Sequence, residues 1–76
     1  MRKFEEITNP KSCLLRARMD EMLFVILGRD AAAPDTIRYW VQKRLALGKN
    51  QVADAQIQEA LECASTMERE RELRGE

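Results

Sequence analysis

Five residues between positions 29 and 44 carry side chains suited to gripping an anion: Arg29, Arg38, Trp40, Lys43 and Arg44. Trp40 and Arg44 lie four apart in "APDTIRYWVQKRLALGK", residues 33 to 49. On a helix that spacing puts them on one face, where a guanidinium can stack on an indole. A ring to stack on and a fork for phosphate together hold a planar, phosphorylated ligand. Arg44 also raises a question of its own. At roughly 100° per residue the apolar arc holds Ile37, Trp40, Val41, Leu45 and, at one edge, Leu47, and Arg44 falls inside it. Either the charge serves a ligand, or it snorkels past a packed stem or pairs with Asp30, Glu59 or Glu62. Trp40 likewise reads as a core residue more readily than as a platform.

Other chemistry is sparse. The chain has no His, and no nucleophile-elbow, phosphate-loop or dinucleotide-binding pattern. Asp20 with Glu21, and Asp30 with Asp35, read as helix caps. Cys13 and Cys63 form no CxxC pair and read as reduced core thiols, with a single disulfide as the alternative. No metal and no cofactor are expected, and the chain reads as non-enzymatic.

These side chains need helices to position them. "TNPKS" offers Asn9 as an N-cap and Pro10 at the first helical position, predicting a short helix over 11–18. "DEMLFVILGRD", residues 20 to 30, is harder, because Met22 to Leu27 are all apolar. Phe24, Val25 and Ile26 suit a strand. No other segment is a good partner for one, so a strand here leaves its backbone unpaired unless another subunit supplies the mate. Asp20 as cap, Glu21 at the positive end and Gly28 as terminator favour a short, deeply buried helix. "RDAAAP" is a linker. Pro34 then opens a helix that runs to about Leu47, with Gly48 closing it and Lys43, Arg44 and Lys49 at its negative end. "KNQVAD" is a polar turn ending in a cap at Asp54. The last helix carries the stripe Ile57, Ala60, Leu61, Ala64 and Met67, in which Ala60 and Ala64 allow a close helix approach. In "ERERELRGE" Glu68 with Arg71, and Glu70 with Arg74, stand at pairing distance.

The expected architecture is all-α: a small bundle of three to four helices in a single domain over residues 1–76. Residues 1–8 are read as a flexible arm and 68–76 as a charged helical extension. The expected core is Leu14, Leu23, Phe24, Ile26, Ile37, Val41, Leu45, Ile57, Leu61 and Ala64. A chain of this length buries only roughly 60% of its unfolded surface, so completion by homo-oligomerisation is expected. Net charge is zero, but the basic residues concentrate before position 50 and the acidic ones after it. That dipole favours association between copies and gives a basic half that could hold an anion. It falls short of the footprint of a DNA-binding domain. No stretch approaches the ~20 apolar residues of a membrane span, and the N-terminus is too polar for a signal peptide.

Three stretches carry a resemblance: Asn9, Pro10, Ser12, Cys13 and Leu14; Asp20, Glu21, Phe24, Val25 and Leu27; and Ala33, Pro34, Ile37, Arg38 and Trp40. They resemble a group of short proteins of tailed phages and prophages that share N-P-x-S-C-L, D-E-P-x-F-V-L and A-P-x-x-I-R-x-W elements. Met22 departs from that pattern, which has Pro there. The match spans roughly residues 9 to 67. It implies a phage or prophage setting, and hence a host bacterial cytoplasm, but no mechanism. Three functions follow as expectations. The first is an anti-defence protein that sequesters a small anionic, nucleotide-type host signal at Arg44, Arg38 and Trp40, with Arg29 and Lys43 as weaker candidates. The second is a protein-interaction inhibitor of a host factor. The third, a small DNA-binding regulator, is disfavoured, because residues 34 to 47 turn apolar side chains where a recognition helix needs polar ones.

Overall fold

Ile57 is the largest side chain withdrawn completely from solvent, at 0% exposure, and the fold is organised around it. The computed structural model describes residues 1–75. Four helical segments follow in order: α1 (Lys3–Thr8), α2 (Cys13–Arg16), α3 (Ala33–Ala46) and α4 (Ala55–Leu73). Among the described residues there is no strand, and the all-α expectation holds.

α3 and α4 form an antiparallel hairpin. α3 starts with Pro34 in its first turn, where the missing N–H costs nothing, and Asp35 adds favourable charge at the same end. It ends at Gly48, whose φ of +71° is accessible to glycine without strain. The Gly48 and Lys49 N–H groups donate to the Leu45 and Arg44 carbonyls, both at 3.1 Å, and close the helix end. Val41, Ile57 and Ala60 form the centre of the core, with Ile37, Leu45 and Leu61 packed around them half-exposed. Ala33, Pro34 and Ala64 are also buried. The expected α4 stripe is therefore real, and its small residues let α3 approach closely.

The N-terminal half departs from expectation. Residues 1–8, read as a loose arm, contain α1. Arg2, just before it, makes a two-pronged ion pair to Glu70 of α4, Nη2–Oε1 2.5 Å and Nη1–Oε2 3.1 Å. α2 begins after Ser12 rather than Asn9. The Asn9 carboxamide accepts from the Lys11 N–H in a local turn, 2.9 Å. Ser12 Oγ takes the cap role instead, accepting from the Leu15 N–H at 3.2 Å and donating to the Glu6 carbonyl at 2.7 Å. One buried hydroxyl thus ties α2 to α1.

The helix expected over residues 20–28 does not form. Arg18 to Asp20 make a turn in which the Glu21 carboxylate accepts from the Arg18 N–H, 2.7 Å, so neither Asp20 nor Glu21 starts a helix. Glu21 to Leu27 then run on without helix, turn or bend. A helix apolar on every side needs cover on every side, and the hairpin offers one. Phe24 is 88% exposed, Leu14 and Leu23 are also exposed and Ile26 is half-buried, so these four expected core positions contribute little; Met22 beside them is 98% exposed. Cys13 is exposed and Cys63 half-buried; both are free thiols, and the core-thiol reading fails for Cys13. Gly28 anchors the far end of the run: a Cβ there stands 3.3 Å from Met67 Cγ, so its role is close passage over α4 rather than helix termination.

Candidate functional site

α3 presents four of the five candidate residues at different angles, and their neighbours divide them. Arg38 points along the hairpin seam. Its guanidinium grips Glu68 of α4 with two hydrogen bonds, 2.6 and 3.0 Å, and lies 3.5 Å from Asp35 one turn back. Hydrogen bonding from Arg38 holds the Glu68 carboxyl below the ordinary glutamate range. Arg38 is thus neutralised by two carboxylates and serves the helix pair.

Arg44 answers the question of the charge within the apolar arc. Its guanidinium carbon lies 5.6 Å from the centroid of the Trp40 ring, a cation–π arrangement. Its Nε donates to Asn50 Oδ1 at 2.6 Å. Asn50 Nδ2 donates in turn to Asp54 Oδ2 at 3.0 Å and to Gln56 Oε1 at 3.1 Å. The Gln51 N–H also donates to Asp54 Oδ2, 2.9 Å. Hydrogen bonds from the Gln51 backbone and the Asn50 amide hold the Asp54 carboxyl below its usual range. Arg44 and Asp54 therefore clamp the α3–α4 connection from its two ends through one amide. The partner of Arg44 is a neutral carboxamide rather than Asp30, Glu59 or Glu62. Asp54 stands at the N-cap position but turns its carboxylate into the loop.

Trp40, 38% exposed, is neither a core residue nor an open platform. Its ring borders a groove between α4 and residues 23–29. Ile37, Ala60, Cys63 and Met67 also line the groove, as does Arg29. Glu59, Glu62 and Glu70 add acidic charge on the α4 side. Lys43 is exposed on the outer face of α3 and forms no ion pair among the described residues. The structure thus brings Trp40 together with Arg44, while Arg38 is engaged by Glu68, Lys43 is exposed and Arg29 shares only the rim of the same groove. Among the described residues no cluster of three or more acidic or thiol side chains is placed to hold a metal ion. No helix among them is long and apolar enough to cross a membrane.

Sequence reasoning missed two features. Asn50 sits in a turn whose polarity was legible, but nothing in the spacing of "GKNQVAD" selects it as the partner of Arg44. The exposure of Met22 to Leu27 was signalled by the strand-forming run Phe24, Val25 and Ile26, which the capping pattern outweighed.

No known protein family, curated protein or solved structure matches this chain.

Proposed function

We propose that this chain is a non-enzymatic protein-interaction module, which in the phage setting implied by its sequence resemblance acts as an inhibitor of a host factor. Its working surface is the apolar run Met22–Leu27, with Met19 just before it, and the groove behind it. One observation carries this reading: Met19, Met22, Leu23, Phe24, Val25 and Leu27 are exposed in near-continuous sequence. Contiguous apolar surface of that kind marks interaction sites in soluble chains. Methionines and aromatics are the side chains enriched at such surfaces.

A second reading, sequestration of a nucleotide-type anion, draws support from the Arg44–Trp40 stack, since only Nε of the guanidinium is hydrogen-bonded among the described residues. The loss of Arg38 to Glu68 and the carboxylate of Asp54 nearby count against it.

A photoreactive benzophenone amino acid at Phe24 tests the first reading. Irradiation is expected to give one reproducible polypeptide adduct, competed away by unlabelled protein. The reading is overturned if no polypeptide adduct forms and cyclic dinucleotides or NAD-derived nucleotides raise the melting temperature in a manner lost in Arg44→Ala. A ligand at 100 times its Kd adds about 2.7 kcal/mol, which a melt resolves readily.

A further inference from the structure

We infer that the groove behind the apolar run takes an amphipathic helix of a partner protein, about four turns long, with basic residues along one flank of its apolar stripe and acidic residues along the other. The inference rests on the interaction reading above and names the partner's chemistry. Two independent features of the groove carry it, its dimensions and its charge.

α4 uses two of its faces. Ile57 and Ala60 pack with Val41 of α3. Further round the helix, Gln56, Glu59, Cys63, Met67 and Glu70 recur at steps of three and four and line the groove. α1 and α2 line it as well, yet no Cα of either comes within 8 Å of α3 or α4. The N-terminal half is therefore held off the hairpin, bridged to it at Arg2–Glu70 and Gly28–Met67. The space so left has a volume of about 1930 Å³. From Gln56 to Glu70 a helix rises about 21 Å, and a second helix of that length, about 10 Å wide, occupies about 1,650 Å³. An extended strand crossing the same distance has only about six residues and leaves much of the space unfilled. A helix there meets apolar surface from two directions: Trp40, Ala60 and Met67 on the hairpin, and the run Leu23–Leu27. It would cover Phe24, which the chain itself leaves exposed.

Charge selects the flanks. On α4, Glu59 and Glu62 are exposed and form no ion pair among the described residues. On α1, α2 and the turn between them, Lys3, Lys11 and Arg16 line the same groove, also exposed and without an ion pair, opposed by Glu6 alone. Arg2, Glu5, Glu70 and Arg74 are already paired within the chain. The groove thus has an acidic side and a basic side. A helix with Lys or Arg toward α4 and Asp or Glu toward α1 and α2 meets opposite charge on both, whereas one sign on both flanks meets repulsion on one of them. A second copy of this chain is not the occupant, because α3 and α4 spend their apolar faces on each other and α1 spans six residues.

Three synthetic peptides test this. Each is a four-turn helix stapled on its outer face, with the same leucine stripe and no tryptophan. One carries lysines on one flank and glutamates on the other, one lysines on both, and one glutamates on both. Trp40, the only tryptophan of the chain, lines the groove and reports binding by a blue shift of its emission. The mixed peptide should bind on the order of tenfold more tightly than either of the others. In Glu59→Lys/Glu62→Lys, whose helical circular dichroism should match wild type, both sides are basic and the preference should pass to the all-glutamate peptide. Equal binding of the three, or an order unchanged in the double variant, overturns the charge-selected helix. No saturable change in Trp40 emission with any peptide, while the photoreactive residue at Phe24 still yields a polypeptide adduct, overturns the helix in the groove and leaves the interaction reading standing. No change and no adduct overturns both.

Discussion

Ile57 and Phe24 are both large apolar residues, and they end in opposite environments, one with no exposed surface and the other 88% exposed. Ile57 belongs to a stripe that recurs at helical spacing, so α4 buries it along one face and keeps polar residues on the other. Phe24 belongs to a run with no polar side, so no single neighbouring surface can cover it. The contrast extends to how each region is held. The hairpin has a packed centre, the Arg38–Glu68 pair and the Arg44–Asn50–Asp54 clamp. The N-terminal half is attached to it at narrower points, among them Arg2 on Glu70 and Gly28 on Met67. In this molecule apolar content by itself does not predict order. Order follows the periodicity that lets one partner element satisfy one face.

The sharpest way to break the comparison is to remove the side chain at its centre. Ile57→Ala should destabilise the hairpin by about 2–5 kcal/mol, since a fully buried aliphatic side chain is replaced by a cavity. In a chain this small, with few other large buried side chains, loss of the helical circular dichroism signal at 25 °C is the expected outcome. A urea midpoint unchanged from wild type would show that Ile57 does not organise the fold.

A smaller effect is expected at the loop clamp. Arg44→Ala removes the hydrogen bond to Asn50, the stack on Trp40 and the packing of the stem, and should lower stability by about 1–2 kcal/mol. Arg44→Lys should not restore it, because an ammonium reproduces neither the planar stack nor the Nε geometry. A thermal melt of both variants checks this. A variant as stable as wild type would return Arg44 to the ligand role and blunt the contrast between a clamped hairpin and an open segment.

The smallest effect concerns the exposed ion pairs at the seams. Hydrogen bonding from Arg38 and from Arg2 holds Glu68 and Glu70 below the ordinary glutamate value near 4.5. A carboxyl depressed on folding adds stability that is fully present above its unfolded pKa and is lost as pH falls through the folded one. Stability attributable to these pairs should therefore be flat from pH 7 to about pH 5 and decline below the ordinary glutamate range. Glu68→Gln should flatten the acid limb for the hairpin itself, and Glu70→Gln for the attachment of the N-terminal half. Urea midpoints measured from pH 7 down to pH 3 separate the two. Because all four side chains meet solvent, neither pair is expected to rival Ile57.

Sequence alone determined the hairpin. Pro34 and Gly48 mark the limits of α3, Ile57, Ala60, Leu61, Ala64 and Met67 mark the face of α4, and each signal is local or repeats at a period that only one conformation satisfies. It also determined that Trp40 and Arg44 meet, because four residues on a helix is a contact distance. Only the tertiary structure decided the rest. Glu68 and Glu70 have partners on their own helix in sequence, Arg71 and Arg74, yet Glu68 takes Arg38 and Glu70 takes Arg2 as well as Arg74. Bidentate geometry across a packed seam outcompetes the flexible pairing along one helix. The fate of Met22 to Leu27 was open for the same kind of reason. Its caps fit a helix and its side chains fit a strand, and the choice turns on how many sides of the run a neighbour can cover. That is a property of the assembled hairpin and of what docks on it, which no local pattern encodes.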